Sequence, residues 1–299
     1  MRIAYIATGA AGMYCGTCLH DNTLAAALIK KGHQVALIPT YTPIRTDEED
    51  VSMNQIFYGG INVYLQQKSN FFRHTHKLLD RMLDSPALLN RLSNLSSSTD
   101  AADLGELTVS VMKGSDGNQK KELEKLVDWL QSEYRPDVIH LNNCMFVGMV
   151  PELKKRLNVP VVCSLSGEDL FLEGLKEPYK KEAMKLLQQR AQEVDGFIAP
   201  SSYYAQFMTD YLNVEKQKMH VVALGLILKD MVKDTSIQLE IHLFLVILRG
   251  FVRKKDLMVP LKRFNFLQKI WHEIKSAFIP QEIFSKKIWD FFKDRETNK

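Results

Sequence analysis

The chain opens with an apolar run, Ile3 to Ala7, that stops at Thr8-Gly9-Ala10-Ala11-Gly12. Apolar residues at helical spacing follow from about Asp21 to Lys31, closed by Gly32, so the order predicted is strand, glycine-rich turn, helix. "HQVALIPTY" at 33–41 is a second buried strand, which makes the opening a β-α-β unit and implies parallel strands. The theme repeats in "DVIHLNN" (137–143), "VPVVCSL" (159–165), "GFIAPSS" (196–202) and "MHVVALG" (219–225). Helical patterns lie between them at about 119–133, 148–157, 176–193 and 202–212. Five or six short apolar strands separated by helices predict an α/β, doubly wound parallel sheet over residues 1–225, followed by an irregular or helical tail.

An insertion at about 43–118 interrupts this rhythm. "PIRTDEEDVS" is charged, "GGINVYLQQ" reads as a turn plus a short strand, and "NLSSSTDAADLG" reads as a flexible loop. Ligands of doubly wound sheets collect beyond the carboxyl ends of the strands. The residues expected there are Gly9 to Gly12, Tyr41 and Thr42, Asn142 and Asn143, Ser166 to Asp169, and Ser201 with Ser202. They are small or polar, as a ligand-facing rim requires.

Charge divides the chain in the same place as pattern. Residues 1–225 carry 24 Lys and Arg against 26 Asp and Glu, whereas 226–299 carry 15 against 9. A basic tail with interleaved Phe and Trp leaves a peripheral membrane contact as an open reading; it is not read as a nucleic-acid arm. No apolar run reaches the roughly 18 residues needed to span a bilayer, and the N-terminus reads as a first strand, so a cytoplasmic location is expected. Cys15, Cys18, Cys144 and Cys163 would then remain reduced.

Several groups suggest chemistry. The turn at Gly12 can aim backbone N–H groups at a phosphate or sugar, or simply join a strand to a helix. Cys15-Gly-Thr-Cys18 has the spacing of a redox pair or half a zinc site; with Cys144 and Cys163 spaced wrongly for a second pair, small buried thiols are the default and no metal is expected. His20 and Asp21 sit at the mouth of the first turn, where a histidine can act as acid, base or donor to a sugar, while Asp21 or Asn22 can equally cap the helix. Glu168-Asp169 follows Ser166-Gly167 on the rim, either to bind acceptor hydroxyls or to complement a helix dipole.

Taken together, "RIAYIATGAAGMYCGTCLHDNTLAAALIKKGHQVALIPTY", "GGINVYLQQ", "RPDVIHLNN", "VPVVCSLSGED" and "GFIAPSSYYAQFM" resemble the N-terminal, Rossmann-like domain of the retaining GT-B glycosyltransferases of family four. The resemblance covers nearly all of residues 1–225. It implies an enzyme that transfers a hexose from a nucleotide-diphosphate sugar to a carbohydrate or other hydroxyl acceptor, with no cofactor beyond that donor substrate. It also implies that this domain holds the acceptor; the candidate substrate-binding residues, read from the strand ends and the turns that follow them, are Gly12, His20, Asp21, Asn142, Asn143, Ser166, Gly167, Glu168, Asp169 and Ser201. The sequence departs from the family at Ser166-Gly167, where relatives commonly have His-Gly, and at Asn142-Asn143, where they often have a second His and an Asp.

A GT-B enzyme needs a second domain for the donor, of about 150 residues. The 74 residues of 226–299 contain one glycine, Gly250, and one alanine, Ala277, a poor supply for the turns and close contacts of such a fold. Read one base earlier, the codons permitted from Leu245 to Asp256 spell G-Y-F-A-R-I-C-P-E-K-G, which resembles the opening of the family's donor domain. Those permitted by Gly225 to Leu228 give G-I-N-L, a natural continuation of "VVALG". The expectation is a frameshift between about Val221 and Leu226, an out-of-frame tail, and a truncated chain with little transferase activity of its own. The alternative is a noncatalytic sugar- or partner-binding module with a basic, hydrophobic docking tail. Sequencing the gene across this region decides between them: the frameshift predicts an intact second frame of about 100 further codons, and an early stop in that frame contradicts it.

Overall fold

The computed structural model describes residues 1–9, 15–75 and 104–225, which belong to one compact unit. Gly12, much of the insertion and the expected tail at 226–299 lie outside the described residues. In chain order the elements are β1 (Arg2–Ala7), α1 (Gly16–Lys30), β2 (Gln34–Pro39), α2 (Gly60–Lys68) and the single turn α3 (Asn70–Arg73). Then come α4 (Gly105–Met112), α5 (Lys120–Trp129), β3 (Val138–Leu141), a 3-10 segment at Cys144–Met149 running into α6 (Val150–Leu157), and β4 (Val161–Ser164). The unit closes with α7 (Glu168–Glu173), α8 (Tyr179–Ala191), β5 (Gly196–Ala199), α9 (Ser202–Leu212) and β6 (Met219–Val221).

The six strands form one all-parallel sheet in the order β2-β1-β3-β4-β5-β6. Strand side chains alternate between faces. Ala4, Ile6, Ala36, Ile38, Ile139, Leu141, Val161 and Cys163 therefore join one large core with buried residues of α5, α6, α8 and α9. On the opposite face Tyr5, Ala7 and Leu37 pack with Cys18 and Ala25 of α1. Helices on opposite faces follow from the strand order: the chain moves from β1 outward to β2, then crosses back to β3 on the other side of β1, and right-handed crossovers place the two connections on opposite faces. The carboxyl ends of β1 and β3 thus flank the switch point, the place where doubly wound sheets leave a crevice.

Two expectations are corrected here. "GGINVYLQQ" is the helix α2 rather than a strand: its buried residues are Asn62, Val63, Gln66 and Gln67, a helical face made largely of amides that carries little hydrophobic signal. Gly60 opens it where the chain passes close to Tyr41, whose carbonyl accepts from the Gly60 N–H at 2.7 Å. The first helix begins at Gly16, not near Asp21, with Cys15 at its N-cap. Its buried face is Cys18, Asp21, Asn22 and Ala25, spaced i, i+3, i+4, i+7, so half of a well-formed helical face is polar. Asp21 and Asn22 accordingly lie in the second turn and cap nothing.

Close packing is fixed by glycine at Gly148, in the 3-10 segment. A Cβ there would lie 2.4 Å from the Val111 carbonyl oxygen and 2.6 Å from that of Met112. Helix α4 and the segment after β3 can approach this closely only with no side chain between them. The segment itself starts with Asn143, whose side-chain oxygen accepts from the Met145 N–H at 2.9 Å.

Candidate functional site

Strand register builds a polar patch on the sheet beneath α1. Tyr5 of β1 and His140 of β3 are paired positions and point to the same face, where their rings stack with centroids 4.2 Å apart. Ser164 of β4 continues the row, its hydroxyl 2.7 Å from His140 Nε2. Helix α1 covers this face and lowers Asp21 onto it. Asp21 is 2% exposed, and its two carboxylate oxygens accept from Tyr5 OH at 2.6 Å and from Asn142 Nδ2 at 2.7 Å. A carboxylate out of water is costly unless it is hydrogen-bonded, and here both oxygens are satisfied.

The network reaches the crevice through two groups. Asn142 Nδ2 also lies 3.3 Å from Thr8 Oγ1, joining the ends of β3 and β1 at the switch point. His20, next to Asp21, brings Nδ1 to 3.4 Å from Asp21 Oδ1 and keeps about a third of its side chain exposed. Its Nε2 has no hydrogen-bond partner among the described residues. Behind it, Asn143 Nδ2 donates to Asn142 Oδ1 at 3.1 Å. The turn after β1 is pinned by Gly9, at φ 75°, where a Cβ would fall 2.1 Å from the Thr42 carbonyl oxygen.

The second group of predicted residues follows β4. Gly167 adopts φ 100° ahead of α7, and the acidic pair beyond it divides. Glu168 turns inward: it is 7% exposed and accepts from the Ser166 N–H at 2.8 Å and the Cys144 N–H at 3.2 Å. Burial raises its pKa against these N–H groups, and its role in the fold is to tie the β4-α7 turn to the segment after β3. Asp169 instead accepts from Tyr204 OH at 2.7 Å, and that phenol accepts from the Gly167 N–H at 2.9 Å. Ser201 caps α9, accepting from the Tyr204 N–H at 3.2 Å, and it is exposed at the rim together with Ser166.

The structure therefore gathers His20, Asp21, Asn142 and Asn143 around the switch point, and Ser166, Gly167, Glu168, Asp169 and Ser201 beyond β4 and β5. Gly12 lies outside the described residues. Tyr5, His140, Ser164 and Tyr204 were absent from the sequence-derived set. The first three stand at alternating, same-face positions of otherwise apolar strands, and that misplaced polarity is the signal that could have found them. Among the described residues no group of three His, Cys, Asp or Glu side chains is arranged to hold a metal, and no helix is long and apolar enough to cross a membrane.

The described residues thus form an open, doubly wound α/β domain with polar side chains gathered at its switch point. Residues 115–229 match the model of Glycosyltransferase Family 4. No curated protein sequence matches the chain. Among solved structures, the lipopolysaccharide outer core galactosyltransferase WaaB in its apo form aligns with a TM-score of 0.41 and 13% identity, covering 77% of this chain and 47% of that one. The catalytic domain of starch synthase IV from Arabidopsis thaliana, bound to ADP and acarbose, aligns with a TM-score of 0.39 and 12% identity, covering 75% and 51%. The chain spans about half the length of these two structures.

The buried imidazole makes a pH prediction. Burial holds His140 down at about 4, while the neighbouring Asp21 favours its protonated form and His20 disfavours it. The unfolded side chain takes up a proton near 6.5, so between that pH and about 4 the unfolded state binds more protons and stability falls as pH falls. Urea unfolding at pH 7 and pH 4.5 should show this loss as about 2–3 kcal/mol greater in the native chain than in His140→Phe, which keeps the stack on Tyr5. Identical pH dependence in the two would contradict the neutral, buried histidine.

Proposed function

We propose that this chain carries the acceptor-side domain of a glycosyltransferase that moves a hexose from a nucleotide-diphosphate sugar to a hydroxyl-bearing acceptor. The observation that carries the reading is the match of residues 115–229 to Glycosyltransferase Family 4, which spans β3 to β6 and so the larger part of the rim. The geometry is compatible with it. Sugar hydroxyls both donate and accept, and the crevice offers an imidazole at His20, a carboxylate at Asp169 and hydroxyls at Thr8, Ser166 and Ser201.

In this reading His20 contacts an acceptor hydroxyl through Nε2. Asp21 orients the ring through Nδ1 and is itself fixed by Tyr5 and Asn142. A carboxylate behind an imidazole sets the tautomer and leaves the far nitrogen as the acceptor, which suits a hydroxyl that must shed its proton as the sugar arrives. Transfer with retention and without a required metal belongs to the same proposal. So does the expectation that this chain alone is a poor catalyst, since residues 226–299 hold one glycine, few for the turns of a donor-binding fold.

Saturation-transfer NMR with a panel of alkyl glycosides, together with turnover assays on UDP-glucose and GDP-mannose, tests the proposal. The expected result is saturable glycoside binding that weakens about tenfold or more in His20→Ala at unchanged thermal stability, with no sugar transfer. Absence of glycoside binding, or binding indifferent to His20→Ala, would overturn the acceptor site. Measurable transfer would overturn the inactivity of the chain.

A further inference from the structure

The C-x-x-C at the head of α1 takes no part in the proposed transfer, yet its placement is specific. Cys15 occupies the N-cap of a 15-residue helix and is partly exposed; Cys18 stands at N3, one turn on, and is 2% exposed. Cys15 and Cys18 are neighbours across the first turn of the helix, and both are free thiols. A partly exposed sulfur at a helix N-terminus backed by a buried sulfur one turn later is the arrangement that thiol–disulfide exchange uses: one reachable nucleophile and one resolving thiol shielded from solvent. Cys144 and Cys163, each 0% exposed, offer no comparable access.

We propose that Cys15 and Cys18 form a reversible dithiol–disulfide pair, with Cys15 as the attacking sulfur and Cys18 as the resolving one. The oxidant is a low-molecular-weight disulfide. Cys15, as thiolate, attacks one of its sulfurs, forming a mixed disulfide and expelling one thiolate. Cys18 then gives up its proton and attacks the Cys15 sulfur, closing the intramolecular bond and expelling the second thiolate. Two thiols of the protein lose two electrons and two protons, and the small disulfide becomes two thiols.

The electrostatics agree with this division of labour. The Cys18 thiol, foremost, and the first-turn groups of Thr17 and Cys18 favour the Cys15 thiolate over the opposing effect of burial, bringing it down to about 5. Cys18 stands well above an ordinary thiol, chiefly through the Cys15 thiol beside it, with burial and the negative charges of Cys15 and Asp21 adding to the effect. Closing the bond brings the sulfurs to about 2.05 Å. Cys18 and Asp21 lie on the same buried face of α1, so the redox change takes place one turn ahead of the carboxylate that organises the crevice.

The test is to equilibrate the full 299-residue chain in graded mixtures of reduced and oxidised glutathione, quench with acid, alkylate free thiols and read the peptides by mass. The expected product is a peptide spanning Cys15 and Cys18 that is two hydrogens lighter and unalkylated, is restored by dithiothreitol, and leaves Cys144 and Cys163 as thiols. Persistence of both cysteines as thiols in excess oxidised glutathione, or a stable glutathione adduct on Cys15, would overturn the proposal. Cys18→Ser should trap that adduct. Should this variant not fold, the alkylation rate of Cys15 in the native chain at about pH 5.5 serves instead: at least about tenfold above that of free glutathione is expected, and parity would overturn the assignment of Cys15 as the attacking sulfur.

Discussion

The buried carboxylate of Asp21 is the constraint on which the crevice depends. Enclosed between α1 and the sheet, it must find donors, and it finds them in a phenol on β1 and an amide just beyond β3. Those donors lie on the two strands whose carboxyl ends separate at the switch point. Satisfying one charge therefore fixes three things together: the depth of α1 over the sheet, the relation of the β1 and β3 termini, and the placement of His20 at the opening. Had this position been apolar, α1 could still pack through Cys18 and Ala25, but nothing would join it to Asn142.

His140 and Ser164 support that arrangement from the same face. His140 stacks under Tyr5 and meets Ser164, so the phenol that serves Asp21 is itself held in place by a neutral imidazole. Asn22, beside Asp21, does the same for the chain after β2: its amide nitrogen donates to the Glu49 carbonyl at 2.9 Å and its oxygen accepts from the Val51 N–H at 3.0 Å. The two polar residues in the middle of α1 thus attach the helix to the strands on one side and to the charged loop on the other.

The architecture was legible because period and punctuation agree in the strands and in α9, where Ser201 and Asn213 mark the ends and Ala205, Met208 and Leu212 mark the buried side. Helices α1 and α2 were misread for one reason. Their buried faces carry Asp21, Asn22, Asn62, Gln66 and Gln67, and a periodicity read from hydrophobicity is blind to burial achieved by hydrogen bonding. For the site, proximity to strand ends gave the right neighbourhood, but which side chains face solvent depends on tertiary contacts. Glu168 and Asp169 are adjacent in sequence and alike in chemistry, yet one closes a turn and the other orders a tyrosine. Tyr5 and His140 are 135 residues apart, and only their strand register brings them together.

The central claim, that Asp21 organises the crevice through hydrogen bonds shared with Tyr5 and Asn142, is tested most directly by a double-mutant cycle on unfolding free energy with Tyr5→Phe and Asp21→Asn. Residues that share one buried network are non-additive, and a coupling of at least about 1 kcal/mol is expected between this pair. Additivity to within about 0.3 kcal/mol would mean that the carboxylate and the phenol are independent features of the fold, and would contradict the account.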